Sequence, residues 1–167
     1  MTTATAVWVV VGMILIACYV TWTAGRLDRL HARVDASWAA LDAQLVRRAA
    51  AAQRLLALLP RGPEAARLEQ SVSAALHTAE QGREGVENDL SRALRQAVPL
   101  LPQGDEPRQA LDELEAAAGR VGLARSFHNS AVQDTRVVRR RRLPRALRLA
   151  GRRELPAFFD VDDTALG

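Results

Sequence analysis

The side chains able to do chemistry are few and scattered. Three histidines, His31, His77 and His128, fall on three different predicted helices, and none belongs to a His-Glu-x-x-His pair that grips zinc from one helix face. Cys18 is the only cysteine and lies inside an apolar run with no histidine nearby, so no internal disulfide can form from it. Gly82-Arg-Glu-Gly85 has two glycines, but it sits within a predicted helix with no strand before it, and a phosphate loop needs that strand. Asp112 and Glu115 form a carboxylate pair at i, i+3, which in an arginine-rich chain reads as a solvated helix face. No catalytic residue, cofactor site or metal site is therefore expected. A hydrolase working through the histidines is the remote alternative.

Two groups of arginines carry more. Arg47 and Arg48 sit on adjacent faces of one helical turn. Asp42 is poorly spaced to pair with them, so acids of the next predicted helix, such as Glu69 or Glu80, are the expected partners of a buried or interfacial guanidinium. The second group is Arg139, Arg140, Arg141, Arg142, Arg145, Arg148, Arg152 and Arg153, with no acid between 139 and 153. A surface of this kind attracts anionic lipid, at about 1 kcal/mol per basic residue near a membrane, or nucleic acid through phosphate contacts, or it is simply solvated. No aromatic residues interleave the arginines as stacking platforms, and the acids Asp160, Asp162 and Asp163 of the chain's own tail are a further counter-charge.

The elements that must position these groups begin with an apolar run from Ala6 to Ala24, AVWVVVGMILIACYVTWTA, which holds no charge and no proline. As a helix it spans about 28 Å, the thickness of the hydrocarbon layer. Trp8 near one end and Tyr19 and Trp22 near the other suit the interfacial belts. Residues 1–7 lack Arg and Lys, unlike the start of a secretory signal, so the run is expected to stay as an anchor. Leu15-Ile16-Ala17-Cys18 fits a lipidation box, yet the apolar run continues past the cysteine, which favours a plain span. Arg26, Arg29 and Arg33 follow the span directly. The positive-inside rule then predicts a single-pass inner-membrane protein with its N-terminus outside and residues 25–167 in the cytoplasm.

Beyond the span the chain reads as helical throughout. All 23 basic residues are arginine, alanine is abundant as in a GC-rich genome, and aromatics make up only 4%, too few for a typical β-sandwich core. Apolar residues recur in steps of three and four at Leu27, Leu30, Val34, Trp38, Leu41, Leu45, Ala49, Ala52, Leu56 and Leu59. A second stripe runs through Leu68, Val72, Leu76, Ala79, Val86, Leu90, Leu94 and Ala97, and a third through Leu111, Leu114, Ala118, Val121, then Ala124 or Arg125, Phe127 or His128, Ala131 or Val132, and Val138. Pro60-Arg-Gly-Pro63 and Pro99 to Gly104 punctuate them. The expected fold is all-α: the membrane helix continues into a long antiparallel three-helix bundle with helices over 26–59, 63–98 and 106–140 and a short fourth over 144–150. The division is 1–25 for the N-terminal segment with its span, 26–153 for the bundle and 154–167 for an acidic tail. In that up-down-up arrangement the first and third helices run parallel and the arginine block lies about 50 Å from the bilayer, which weakens the reading as lipid of the same membrane and leaves a second membrane, an acidic partner or the chain's own tail open. A homo-oligomeric coiled coil is the alternative packing for the heptad-like steps.

The stretch Arg33-Val-Asp-Ala-Ser-Trp-Ala-Ala-Leu-Asp-Ala-Gln-Leu-Val-Arg-Arg48 resembles the segment that follows the membrane helix in the LemA family. Ala124-Arg-Ser-Phe-His-Asn-Ser-Ala-Val132 resembles its second characteristic segment, and Phe158-Phe159 its aromatic pair near the C-terminus. Gln53 stands at the family's proline position, so no kink is expected there, and His128 and Thr135-Arg136 replace tyrosine-containing positions. The resemblance implies a membrane-anchored helical bundle without an established enzymatic activity, that is, a scaffold or interaction protein with an unidentified protein partner. In the parallel register Phe127 is level with the Arg47-Arg48 turn, which brings the two family segments together. Arg47, Arg48, His128 and Asn129 are then the expected interhelical polar site, with Asn129 or an acid of the second helix touching one of the arginines. Trp38 is expected in the core, away from Phe127.

Overall fold

The computed structural model describes residues 3–139 and 155–161. Among them there is no strand. The order is α1 (Thr3–Leu58), α2 (Pro63–His77), α3 (Arg83–Ala97), a single 3-10 turn at Val98–Leu100, and α4 (Asp105–Arg139). The expected fourth helix over 144–150 and the arginines from 140 onward lie outside the described residues.

α1 is one helix of 56 residues, about 84 Å long, with an 18-residue window of mean hydropathy 2.2 near its N-terminus. None of that window is buried. Trp8 is 74% exposed and Trp22 59%, Tyr19 is exposed, and the Arg26 guanidinium lies 5.8 Å from the Trp22 ring centre. Ala6 is exposed and Ala24 half-buried. An apolar window with no covering protein is unlike the core helix of a soluble domain, which spends its apolar surface on packing. Gln53 passes without a break in the helix.

The second predicted helix is corrected. Residues 63–98 do not form one rod: α2 ends at His77, and α3 starts after Gly82, whose φ of 87° and ψ of 0° are left-handed. Thr78 closes α2, its N–H and its hydroxyl both donating to the Ala74 carbonyl. α2 and α3 pack against each other across this turn. An L-residue loses about 1–2 kcal/mol in the left-handed region, which only glycine adopts freely. Gly82→Ala is therefore expected to destabilise the fold by about 1 kcal/mol, even though a β-carbon there meets no atom within 4 Å. Urea unfolding of the two chains checks this, and an unchanged midpoint would refute it.

The described residues divide into two compact units. In the unit made of residues 37–129 and 158–161, the main core gathers Ala49, Ala52 and Leu55 of α1, Leu68, Val72 and Ala75 of α2, Leu90, Leu94 and Ala97 of α3, and Leu114 and Ala117 of α4. Of the alanines at 49–52, Ala49, Ala51 and Ala52 are in this core and Ala50 is exposed. A second cluster joins Leu41, Leu45 and Val121 to Phe159 and Val161. Cross-helix contacts fix the register. Ser37 meets His128 and Arg54 meets Glu113, so partner numbers on α4 fall as those on α1 rise. The expected parallel relation of these two helices is thereby corrected. The break at Gly82 adds a reversal of direction, and α4 arrives with the opposite sense.

In the other unit, residues 3–36, 130–139 and 155–157, Val34 packs on Ala131 and Val132. Arg33 pairs with Asp134 at 3.5 Å, both exposed, which contributes little. His31 is buried and donates from Nδ1 to the Leu27 carbonyl at 2.8 Å, and the Arg136 Nε donates to the Pro156 carbonyl.

Candidate functional site

Two constructions in the larger unit bring polar groups together. The first is a buried charge network. Arg48 on α1 is 4% exposed and Glu87 on α3 is fully buried. The Arg48 Nη1 lies 3.3 Å from Glu87 Oε2, and its Nη2 donates to the Ser91 hydroxyl at 2.7 Å, which in turn donates to the Glu87 carbonyl. Arg83, 2% exposed, approaches Glu87 Oε1 at 3.4 Å, pairs with Asp42 of α1 at 3.3 Å, and donates to the Thr78 carbonyl at 2.8 Å. The same arginine thus closes the turn that ends at Gly82. Helical spacing explains the grouping: Arg83, Glu87 and Ser91 follow one another at four-residue steps on the face that continues as Leu94. Burial pushes the Glu87 carboxyl above its ordinary value, against the pull of Arg48 and Arg83. Each charge faces a counter-charge inside the fold, an arrangement suited to locking helices in register.

The second construction seats the residues near the C-terminus. Residues 155–161 have no regular secondary structure. Phe159 and Val161 are each 3% exposed, against Trp38, Leu41, Leu45, Val121 and Ala124. The Trp38 ring stands edge-on to both Phe159, at 5.5 Å between centres, and His128, at 5.6 Å. Such pairs add about 0.5–1.5 kcal/mol beyond their buried area. His128 shares a hydrogen bond of 3.2 Å with Ser37. Asn129 takes the Phe159 backbone with both ends of its amide: Oδ1 accepts from the Phe159 N–H at 2.9 Å, and Nδ2 donates to the Phe159 carbonyl at 3.0 Å. Arg125 donates to the Val161 carbonyl at 3.1 Å, and the Asp160 N–H donates to Glu84 Oε1 of α3 at 2.8 Å.

The expected polar site around Arg47, Arg48, His128 and Asn129 is not assembled. Arg47 is exposed, Arg48 pairs with Glu87, and His128 and Asn129 lie at the level of Ser37 and Trp38. From Ser37 to Arg48 is about 16 Å along α1, three turns. The opposite sense of α4 is the cause, since it carries the second family-like segment toward the beginning of the packed part of α1. Phe127 is 64% exposed, and His128 takes the inward position on the stripe instead. Glu69 and Glu80 are exposed, and so are Asp112 and Glu115. His77 donates to the Ser73 carbonyl of its own helix. Among the described residues no three His, Cys, Asp or Glu side chains gather closely enough to hold a metal ion. Cys18 is exposed, and Arg139 is half-buried at the end of α4.

Reading the sequence missed Arg83, Glu87 and Ser91. The signal was present: an Arg and a Glu four residues apart, in line with Leu90 and Leu94, occupy stripe positions where an apolar residue belongs. The seat for Phe159 had no local signal, because every group that holds its backbone lies at least 30 residues away. In comparison with known proteins, the chain matches no family model, no curated protein and no solved structure.

Proposed function

We propose that this chain is a LemA-like, single-pass membrane protein whose helices form an antiparallel bundle at the cytoplasmic face, where it works as a non-catalytic scaffold. The observation that carries the reading is the apolar window of α1, none of it buried, in the same helix that supplies the packed stripe further on. A helix apolar on all sides needs an apolar surround, and a bilayer supplies one. The order of the motifs, a span, then Arg33 to Arg48, then Ala124 to Val132, then Phe158-Phe159, supports the family resemblance. The arginines that directly follow the span support a cytoplasmic location for what comes after. The polar groups of the larger unit support a scaffold: the buried charges of Arg48, Arg83 and Glu87 are engaged with one another, and Asn129 and Arg125 grip backbone.

The test is the behaviour of the full chain in cells. It is expected to stay in the membrane fraction through an alkaline carbonate wash, and a reporter active only in the cytoplasm is expected to be active when fused after Gly167. Ile14→Arg should weaken insertion, since an arginine at mid-span costs about 2.5–3.5 kcal/mol. Release by carbonate would overturn the anchor, and activity only from an exterior reporter would overturn the orientation.

A further inference from the structure

The segment around Phe159 is held the way a binding protein holds a peptide. Its side chains alternate: Phe159 and Val161 point in, whereas Phe158 is 40% exposed and the Asp160 side chain 95%. This is the two-residue period of an extended strand. Yet among the described residues no strand lies beside it. Three side chains, Glu84, Arg125 and Asn129, satisfy four of its backbone groups: the N–H and C=O of Phe159, the N–H of Asp160 and the C=O of Val161. Backbone bonds supply affinity that any sequence can use, and apolar pockets at alternate positions supply the choice of side chain. Here the pockets choose Phe at one position and Val two residues later, and the exposed position between them holds an acid, Asp160, whose carboxylate lies 3.5 Å from Arg125.

We propose that the groove lined by Trp38, Leu41, Leu45, Val121 and Ala124 is a recognition site for an extended Phe-x-Val segment, closed by the chain's own residues 159–161 and open in exchange to the same segment of a second copy. The ligand chemistry is on view, because the internal segment is the ligand. The second copy is the natural occupant, since it carries an identical Phe-Asp-Val on a tether. Fifteen residues, 140–154, separate the end of α4 from Leu155, and a chain of that length reaches at most about 50 Å. Seven of those fifteen are arginine and one is glutamate. Reciprocal exchange of one segment between two copies closes a two-fold dimer with no new interface chemistry. The inference names a partner for the scaffold reading and rests on it for its purpose, but its test uses the purified full chain in detergent micelles and does not depend on membrane location or orientation.

The probe is a fluorescein-labelled peptide of residues 155–161, Leu-Pro-Ala-Phe-Phe-Asp-Val, followed by anisotropy. Phe159→Ala weakens the internal competitor, which loses its aromatic anchor, and leaves every groove residue in place. It is expected to bind the peptide at least tenfold more tightly than the unchanged chain. Adding Asn129→Ala to Phe159→Ala removes both bonds to the Phe159 backbone and is expected to weaken binding at least tenfold. A Phe159→Ala chain that gains no binding, or one indifferent to Asn129→Ala, would overturn the site. A second measurement needs no destabilising change. Two differently tagged copies are mixed, one carrying a photoreactive phenylalanine at position 159. Crosslinks joining the two tags are expected, at a yield that rises with protein concentration. Crosslinks confined to single chains would overturn the second copy as occupant.

Discussion

Arg48→Ala is expected to lower the stability of the fold by about 3–5 kcal/mol at pH 8, the range for removing one partner of a buried ion pair. The loss is expected to shrink toward pH 5. Burial already raises the Glu87 carboxyl above its ordinary value, and Arg48 is the strongest influence pulling it down. Without Arg48 the carboxyl rises further. A folded state whose carboxyl has a raised pKa binds more protons than the unfolded chain, so its stability is fully present below the unfolded value of 4.5 and is lost as pH rises through the folded value. Arg83, 3.4 Å away, keeps the remaining charge partly compensated. Combining Arg48→Ala with Glu87→Gln removes the titrating group. The double variant is expected to be more stable than Arg48→Ala alone at pH 8, and to match it near pH 4. Urea unfolding in micelles at several pH values measures both. A loss in Arg48→Ala that is equal at pH 5 and pH 8 would contradict this account.

Leu45→Ala is the other change expected to have a large effect, about 2–5 kcal/mol. Leu45 is fully buried and packs with Leu41 and Val121 beneath Phe159 and Val161. Truncation leaves a cavity under the seat. The groove can collapse only where the segment above it shifts, and Asn129 restrains that segment at both polar groups of Phe159. The two sites should therefore couple: Leu45→Ala with Phe159→Ala is expected to cost less than the sum of the single losses, because contacting residues share the packing that each variant removes. Additive losses in thermal unfolding would show that the two side chains do not share a core.

The helical stripes were legible in the residues because their period is set by backbone geometry. Leu41, Leu45, Ala49 and Ala52 are all buried, as are Leu68, Val72, Leu90, Leu94, Ala97, Leu114 and Val121. The ends of α1 near Leu58 and of α4 near Asp105 were marked by prolines and a Gly-Asp step. Gly82 was misjudged. As a helical residue it costs only about 1 kcal/mol, a cost a long helix tolerates, and propensity gives no sign that the backbone turns left-handed there. One such position decides how many times the chain reverses, so the relative sense of α1 and α4 was lost with it. Leu55 is fully buried where Leu56 was expected, a rotation by one position where α1 meets α2 and α3. The partners of Asn129 were out of reach of any reading by spacing. An arginine-rich stretch separates it from Phe159, and a side-chain amide gripping a distant backbone follows no periodicity.

The seat for Phe159 also has a consequence in mass action. A ligand on a short tether meets its site at an effective concentration of about 1 mM, whatever the amount of protein present. Dilution therefore leaves the closed form untouched, whereas a segment from another copy competes only in proportion to how densely the copies are gathered. Confinement to a membrane surface, as proposed above, would supply that density. In the proposed exchange, closure and swapping use the same contacts, so the density of the chains, and no change in affinity, decides between them.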